Sequence, residues 1–228
     1  MAFFEGEAFS DNKKWSSCYC QCFYEDHSKV HWASRTAVEN RECASQRITQ
    51  GRMQGLLAYR EGQVVGWCNA APRTLLHALD AEPIAHPERV GTILCFLVAP
   101  SVRGRGVATA LLNAACQYLE AQGLLSVEAN PRPSANGPAE NHFGPLGMYL
   151  AAGFTVHRTD ADGSIWVSKE CNPHRSLPSN DAQPFIYGLP PNSKGRIEFV
   201  GLRDTPGGVY PTSGVRSAVG RTVFAQPR

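Results

Sequence analysis

Apolar residues run almost unbroken over residues 90–98, VGTILCFLV, with branched and aromatic side chains, as in a central strand buried on both faces. From Val107 the period lengthens. Leu111, Leu112, Ala115, Tyr118 and Leu119 fall at helical spacing, and Gly123 stands where the helix would end. LLSVEA, residues 124–129, returns to a strand pattern. Upstream, residues 56–59 and 64–70 predict a hairpin turning at Arg60-Glu61-Gly62-Gln63. Downstream, a Pro/Asn/Gly-rich loop over 130–144 leads into LGMYLAA, with Pro145 suited to a first helical turn and Gly153 as terminator. FTVHR and SIWVS, separated by Asp160-Ala161-Asp162-Gly163, predict a final hairpin.

Weaker patterns fill the rest. WSSCYCQCFY, residues 15–24, reads as a first strand with Cys18, Cys20 and Cys22 on one face. Residues 36–50 have helix-compatible composition, and a short helix is expected around Leu75 and Leu76, before a loop carrying Pro83 and Pro87. The expected order is strand, helix, hairpin, strand, helix, strand, helix, hairpin. After Cys171 the texture changes: half of the 16 prolines lie there, and only GRIEFVGL, residues 195–202, looks strand-like. The chain therefore divides into a domain over 1–171 and a Pro/Gly-rich basic extension over 172–228, read as a surface-packed or partly disordered tail in preference to a basic arm for an anionic partner.

Composition adds exclusions. A formal charge of +2 on 228 residues is too small to point to nucleic acid or an anionic membrane. No apolar run reaches membrane-spanning length, and MAFFEGEAFSDNKKW carries acids where a secretory signal carries bases, so a cytoplasmic protein is expected. In that setting the eight cysteines read as reduced thiols, most of them core packing. The alternating spacing of Cys18, Cys20 and Cys22 departs from the paired ligands of zinc sites, and no metal is expected.

The chemistry is concentrated in VAPSVRGRGVATALL, residues 98–112. A strand that ends in a glycine-rich turn and opens a helix is an anion site: glycine lets backbone approach closely, and unpaired N–H groups and the helix dipole favour negative charge. The loop lacks the GxxxxGK[ST] of a P-loop and the third glycine of a dinucleotide fingerprint. A phosphate-bearing ligand follows, without a nucleotide motif.

Arg103-Gly104-Arg105-Gly106-Val107-Ala108 resembles the R/Q-x-x-G-x-G/A pyrophosphate loop of the GNAT superfamily of acetyl-CoA-dependent N-acetyltransferases, with alanine in place of the last glycine. The strand ending FLVAP, the helix beginning VATALL and the later MYLAAGF, similar to the family's LYxxxGF, extend the resemblance over residues 15–170. It implies a single α/β (α+β) domain with a twisted, mostly antiparallel mixed sheet flanked by helices. It also implies acetyl-CoA in a split between the strand ending at Val98 and the one beginning near Leu124. The pantetheine arm would pair with backbone of Phe96, Leu97 and Val98, and main-chain N–H groups from Arg103 to Ala108 would hold the pyrophosphate.

Tyr149 matches the family's general-acid tyrosine; a tyrosine packed under the last hairpin is the alternative. The family's strand glutamate is missing from GTILCFLV, which leaves Glu128 as the best-placed base, with Glu140, His142 and an ordered water as competitors. Cys95 offers a covalent acetyl-cysteine route, set against simple burial of a small apolar residue. Trp32, Glu82, Glu88, Glu140 and His142 are the residues expected to line the acceptor site, where acids suit a cationic amine. The resemblance implies N-acetylation by direct transfer, with a small-molecule amine, including the aminoglycoside-type antibiotics, as the leading acceptor class. A protein N-terminus or lysine is the enzymatic alternative, and a non-catalytic acyl-CoA-binding module the other. A homodimer is compatible with all of these readings.

Overall fold

The computed structural model describes residues 2–82, 84–132, 137, 141–172 and 195–200. One sheet of seven strands organises them, in the order β5-β6-β4-β3-β2-β1-β7. The strands are β1 (Gly55–Arg60), β2 (Gln63–Pro72), β3 (Val90–Val98), β4 (Ser126–Ala129), β5 (Thr155–Thr159), β6 (Ile165–Glu170) and β7 (Gly195–Val200). Every neighbouring pair is antiparallel except β3 and β4. That parallel pair is joined by the crossover helix α3 (Val107–Ala121), as parallel strands require.

α3 buries Val107, Leu111, Leu112, Ala115, Tyr118 and Leu119, the stripe read from its period. Two glycines let it lie close to the sheet. A Cβ at Gly66 would stand 3.1 Å from Leu111 and Val107, and one at Gly91 2.8 Å from Leu119. The short α4 (Leu146–Ala151) is capped by Pro145 in extended conformation, one residue before the expected place, and Gly153 ends it at φ +87.

Helix α2 (Ala37–Thr49) forms although its apolar face is weak, because Thr36 and Glu39 make a reciprocal capping box at its N-terminus. Beneath the sheet's other face lies the N-terminal segment, which begins with α1 (Ala2–Glu5). Here the expected first strand over 15–24 does not form. Lys13–Trp15 and Gln21–Tyr24 are 3-10 turns, and Tyr19 and Cys20 both take left-handed backbone, φ 46 and 54, which no extended strand allows. Tyr19, Cys20, Gln21 and Tyr24 are buried while Cys18 and Cys22 are half-buried, so the alternation matches neither the backbone shape nor the burial. The edge of β1 is taken by β7, which leaves the N-terminal segment only a face to cover.

The helix expected around Leu75 is likewise a pair of 3-10 turns, Arg73–Leu75 and His77–Leu79. The expected strand near 195–202 is β7. The remainder of the extension lies outside the described residues.

Candidate active site

The parallel ladder between β3 and β4 stops at Ile93↔Ala129, so β3 continues past its partner with one side open. A bulge between Asn69/Ala70 and their β3 partners Cys95 and Ile93 leaves Leu94 unopposed and turns the strand at that point. On the open side the Phe96 N–H donates to the His142 carbonyl at 2.6 Å, and the Val98 carbonyl accepts from Arg103 Nε at 2.9 Å. The strand thus presents alternate backbone groups to a cleft, as an extended amide-bearing ligand needs.

Immediately after β3, Gly104 and Gly106 adopt φ 73 and 79. Around Gly104 a Cβ would meet nothing within 4 Å, so the requirement for glycine there is its left-handed backbone rather than space. Gly106 is the N-cap of α3, and no side chain caps the helix. The first-turn N–H groups and the positive end of a 15-residue helix dipole therefore face outward together. Arg105 is exposed and Arg103 half-buried beside them. This donor set fits a pyrophosphate.

A cavity of about 170 Å³ adjoins the loop, walled by Phe96, Leu97, Val98, Arg103, Ala108 and His142. Its outer wall was not legible in the sequence. Asp11 grips Arg103 through both carboxylate oxygens, and Glu7 binds the Ser101 hydroxyl. The Arg103 hydrogen bond holds the Asp11 carboxyl below its ordinary range, against a smaller opposing effect of burial. Trp15 sets its ring edgewise on His142, with centroids 4.5 Å apart.

Tyr149 is fully buried behind this wall. Its hydroxyl donates to the Phe143 carbonyl at 2.9 Å, and its ring stands edge-on to Phe96 with centroids 6.4 Å apart. Burial pushes its phenol well above the ordinary value, so the proton stays on the oxygen. Gly144 permits the approach: at φ +80, a Cβ there would meet Met148 at 2.8 Å and Tyr149 at 3.0 Å.

Glu128 belongs to a different centre. It forms a buried ion pair with Arg73 and accepts from Thr92 Oγ1 at 3.1 Å. Arg73 also donates to the carbonyls of Leu79 and Glu82, at 3.2 and 2.8 Å, and lies over the Trp166 ring. Glu128 is only 4% exposed. It borders a second cavity of about 400 Å³ together with Ser126, His157, Arg158, Ser168 and Glu170. Glu82 pairs with Arg158 at 2.8 Å in the same region.

The structure thus brings His142 to the cavity beside the loop and groups Glu82 with Glu128 around Arg73. Trp32 sits apart, its ring 6.0 Å from that of His27, and Glu88 pairs with His86 on the surface. Glu140 lies outside the described residues. The Cys95 thiol is pushed well up by its hydrogen bond to Cys20 and by burial, which removes the thiolate that an acetyl-Cys95 route needs. Among the described residues no group of three or more His, Cys, Asp or Glu is placed to hold a metal, and no helix is long and apolar enough to cross a membrane.

A strand with one open side leads directly into a helix start whose backbone donors are uncapped, an arrangement that fits a phosphate-bearing ligand. Residues 13–154 match the model of the acetyltransferase (GNAT) family, more than half of the chain, and the chain belongs to that family. It is an acyltransferase, and acetyl-CoA is its cosubstrate. None of the curated proteins matches it.

Solved structures similar to it include an N-acetyltransferase from Staphylococcus aureus Mu50, 15% identical over 70% of this chain and 95% of that one, with a TM-score of 0.45. PaiA N-acetyltransferase from Thermoplasma acidophilum in complex with coenzyme A is 14% identical over 74% and 90%, with a TM-score of 0.43. A phosphinothricin acetyltransferase from Sinorhizobium meliloti in complex with acetyl-CoA is 18% identical over 66% and 78%, also at 0.43.

Proposed function

We propose that the chain transfers the acetyl group of acetyl-CoA directly to the primary amine of a small, cationic molecule. The observation that carries this reading is the junction of the open side of β3 with the uncapped start of α3. In the bound state the N–H groups of Gly104 to Ala108 hold the pyrophosphate, and Arg103 and Arg105 add charge. Phe96 and Val98 exchange their present partners for the amides of the pantetheine arm. That places the thioester near the bulge at Leu94, with Tyr149 behind Phe96.

Each residue then has a task. The buried, protonated Tyr149 hydroxyl supplies the proton for the departing thiolate. His142, whose ring forms the cleft wall, accepts the proton of the amine; Glu128, held by Arg73, does not. The acceptor in this reading is a small amine that arrives as a cation, and aminoglycoside-type compounds have that chemistry.

The test is release of free thiol from acetyl-CoA across a panel of amines. Stimulation by small polyamines or aminoglycosides supports the reading. Stimulation only by peptides turns it toward protein acetylation, and tight acetyl-CoA binding without any amine-stimulated release makes the chain a binding module.

A further inference from the structure

The two backbone groups of β3 that the proposed function gives to the pantetheine arm already have partners within the chain. The Phe96 N–H donates to the His142 carbonyl at 2.6 Å, and the Val98 carbonyl accepts from Arg103 Nε at 2.9 Å. Each partner is itself held from outside. The Arg103 guanidinium is gripped by both carboxylate oxygens of Asp11, with Nη2 3.2 Å from Oδ1. The His142 ring is met edge-on by Trp15, with centroids 4.5 Å apart.

Asp11 and Trp15 belong to one short segment, residues 7–15, and Glu7 adds a third grip on the Ser101 hydroxyl just before the glycine loop. The three side chains stand four positions apart in the sequence. Ala8 and Phe9 between them are buried, which seats the segment on the apolar body of the domain. The cavity that it walls, through Phe9, Asp11 and Trp15, has a volume of about 170 Å³, below the roughly 300–1,000 Å³ of sites that take small organic ligands. A pantetheine arm therefore enters only after this wall moves.

We propose that residues 7–15 are an autoinhibitory strap, which keeps the β3 groove closed through Arg103 and His142 until acetyl-CoA releases it. The inference rests on the reading of the α3 start as the pyrophosphate site.

The release follows from charge. A pyrophosphate at the first turn of α3 offers Arg103 charge-assisted hydrogen bonds to an anion that carries more charge than one carboxylate. The Arg103–Asp11 pair that it replaces is 25% and 37% exposed, the kind of ion pair that holds weakly. Arg103 then turns to the phosphate and frees the Val98 carbonyl. The strap is built for such opening: Glu7–Phe9 and Lys13–Trp15 are short 3-10 turns without the hydrogen-bond ladder of a longer helix, and segments of that kind open locally at low free energy. Acetyl-CoA binds the open state alone, so it draws the equilibrium there.

Hydrogen exchange of the full chain, read by mass spectrometry with and without saturating acetyl-CoA, tests the strap without measuring turnover. The expected result runs in two directions: amides of residues 103–108 slow, while those of residues 7–15 speed up several-fold. Slowing at 103–108 with residues 7–15 unchanged or slowed overturns the strap and leaves the coenzyme site standing. No change at either segment overturns both. A double variant, Asp11→Asn with Trp15→Ala, removes two of the grips. In it residues 7–15 should exchange faster without any ligand, and calorimetry should show acetyl-CoA binding about tenfold tighter than in the wild type. Equal or weaker affinity in the folded variant overturns the proposal, and the wild-type exchange map decides the matter if the variant does not fold.

Discussion

Two polar centres lie along β3, and they are built on opposite rules. At the Arg73–Glu128 centre the charges are paired and hydrogen-bonded inside the protein, with Thr92, Leu79 and Glu82 supplying partners. At the start of α3 the backbone donors are uncapped, and the glycines hold them in an arrangement that serves no internal bond. A saturated polar cluster positions elements, whereas an unsaturated one awaits a ligand. The contrast sets the Glu128 carboxylate on β4, already paired with Arg73, against a loop whose backbone donors are uncapped.

Substitutions separate the two rules. The largest expected effect is at the saturated centre: Glu128→Ala leaves the Arg73 charge buried and unpaired, at a cost of about 3–5 kcal/mol in stability. Thermal or denaturant unfolding measures it, and a loss near zero would show that Glu128 is free for chemistry after all. Next comes Tyr149→Phe, which removes the proposed acid and keeps the ring packing. Turnover should fall roughly a hundredfold while acetyl-CoA affinity holds, as steady-state kinetics and calorimetry together would show. Equal rates would leave the tyrosine as packing.

The smallest effect concerns the cleft mouth. Asp11→Asn frees Arg103 from an exposed ion pair, so acetyl-CoA should bind about threefold more tightly. Because Arg103 holds the Asp11 carboxyl below its ordinary range, that contact is fully formed above the ordinary carboxylate value and is lost only as pH falls through the lowered one. The gain from Asp11→Asn should therefore be constant across neutral pH and shrink in acid. A gain that instead changes between neutral and mildly alkaline pH would implicate another group.

What the sequence disclosed follows the same division between local and distant causes. β3 and α3 were legible because their periods are strong and unbroken, and the loop between them because glycines at left-handed positions leave a mark in the chain. The segment over 15–24 was misread because its alternating cysteines have a strand period that the chain does not follow; Tyr19 and Cys20 turn left-handed without a glycine or asparagine to announce it. The wall made by Asp11 and Arg103 joins residues 92 positions apart, and Arg73 meets Glu128 across 55. No local pattern encodes such contacts. β7 was readable as a strand, but its place at the edge of β1 was not.

The central claim is that the backbone of the α3 start binds the pyrophosphate of acetyl-CoA. Calorimetric titration of acetyl-CoA into the wild type and into a Gly104→Val, Gly106→Val variant tests it most directly, with circular dichroism to establish that the variant is folded. The account predicts micromolar binding by the wild type and a loss on the order of a hundredfold in the variant, since β-branched residues strongly disfavour the required backbone. Equal affinity in a folded variant would contradict it.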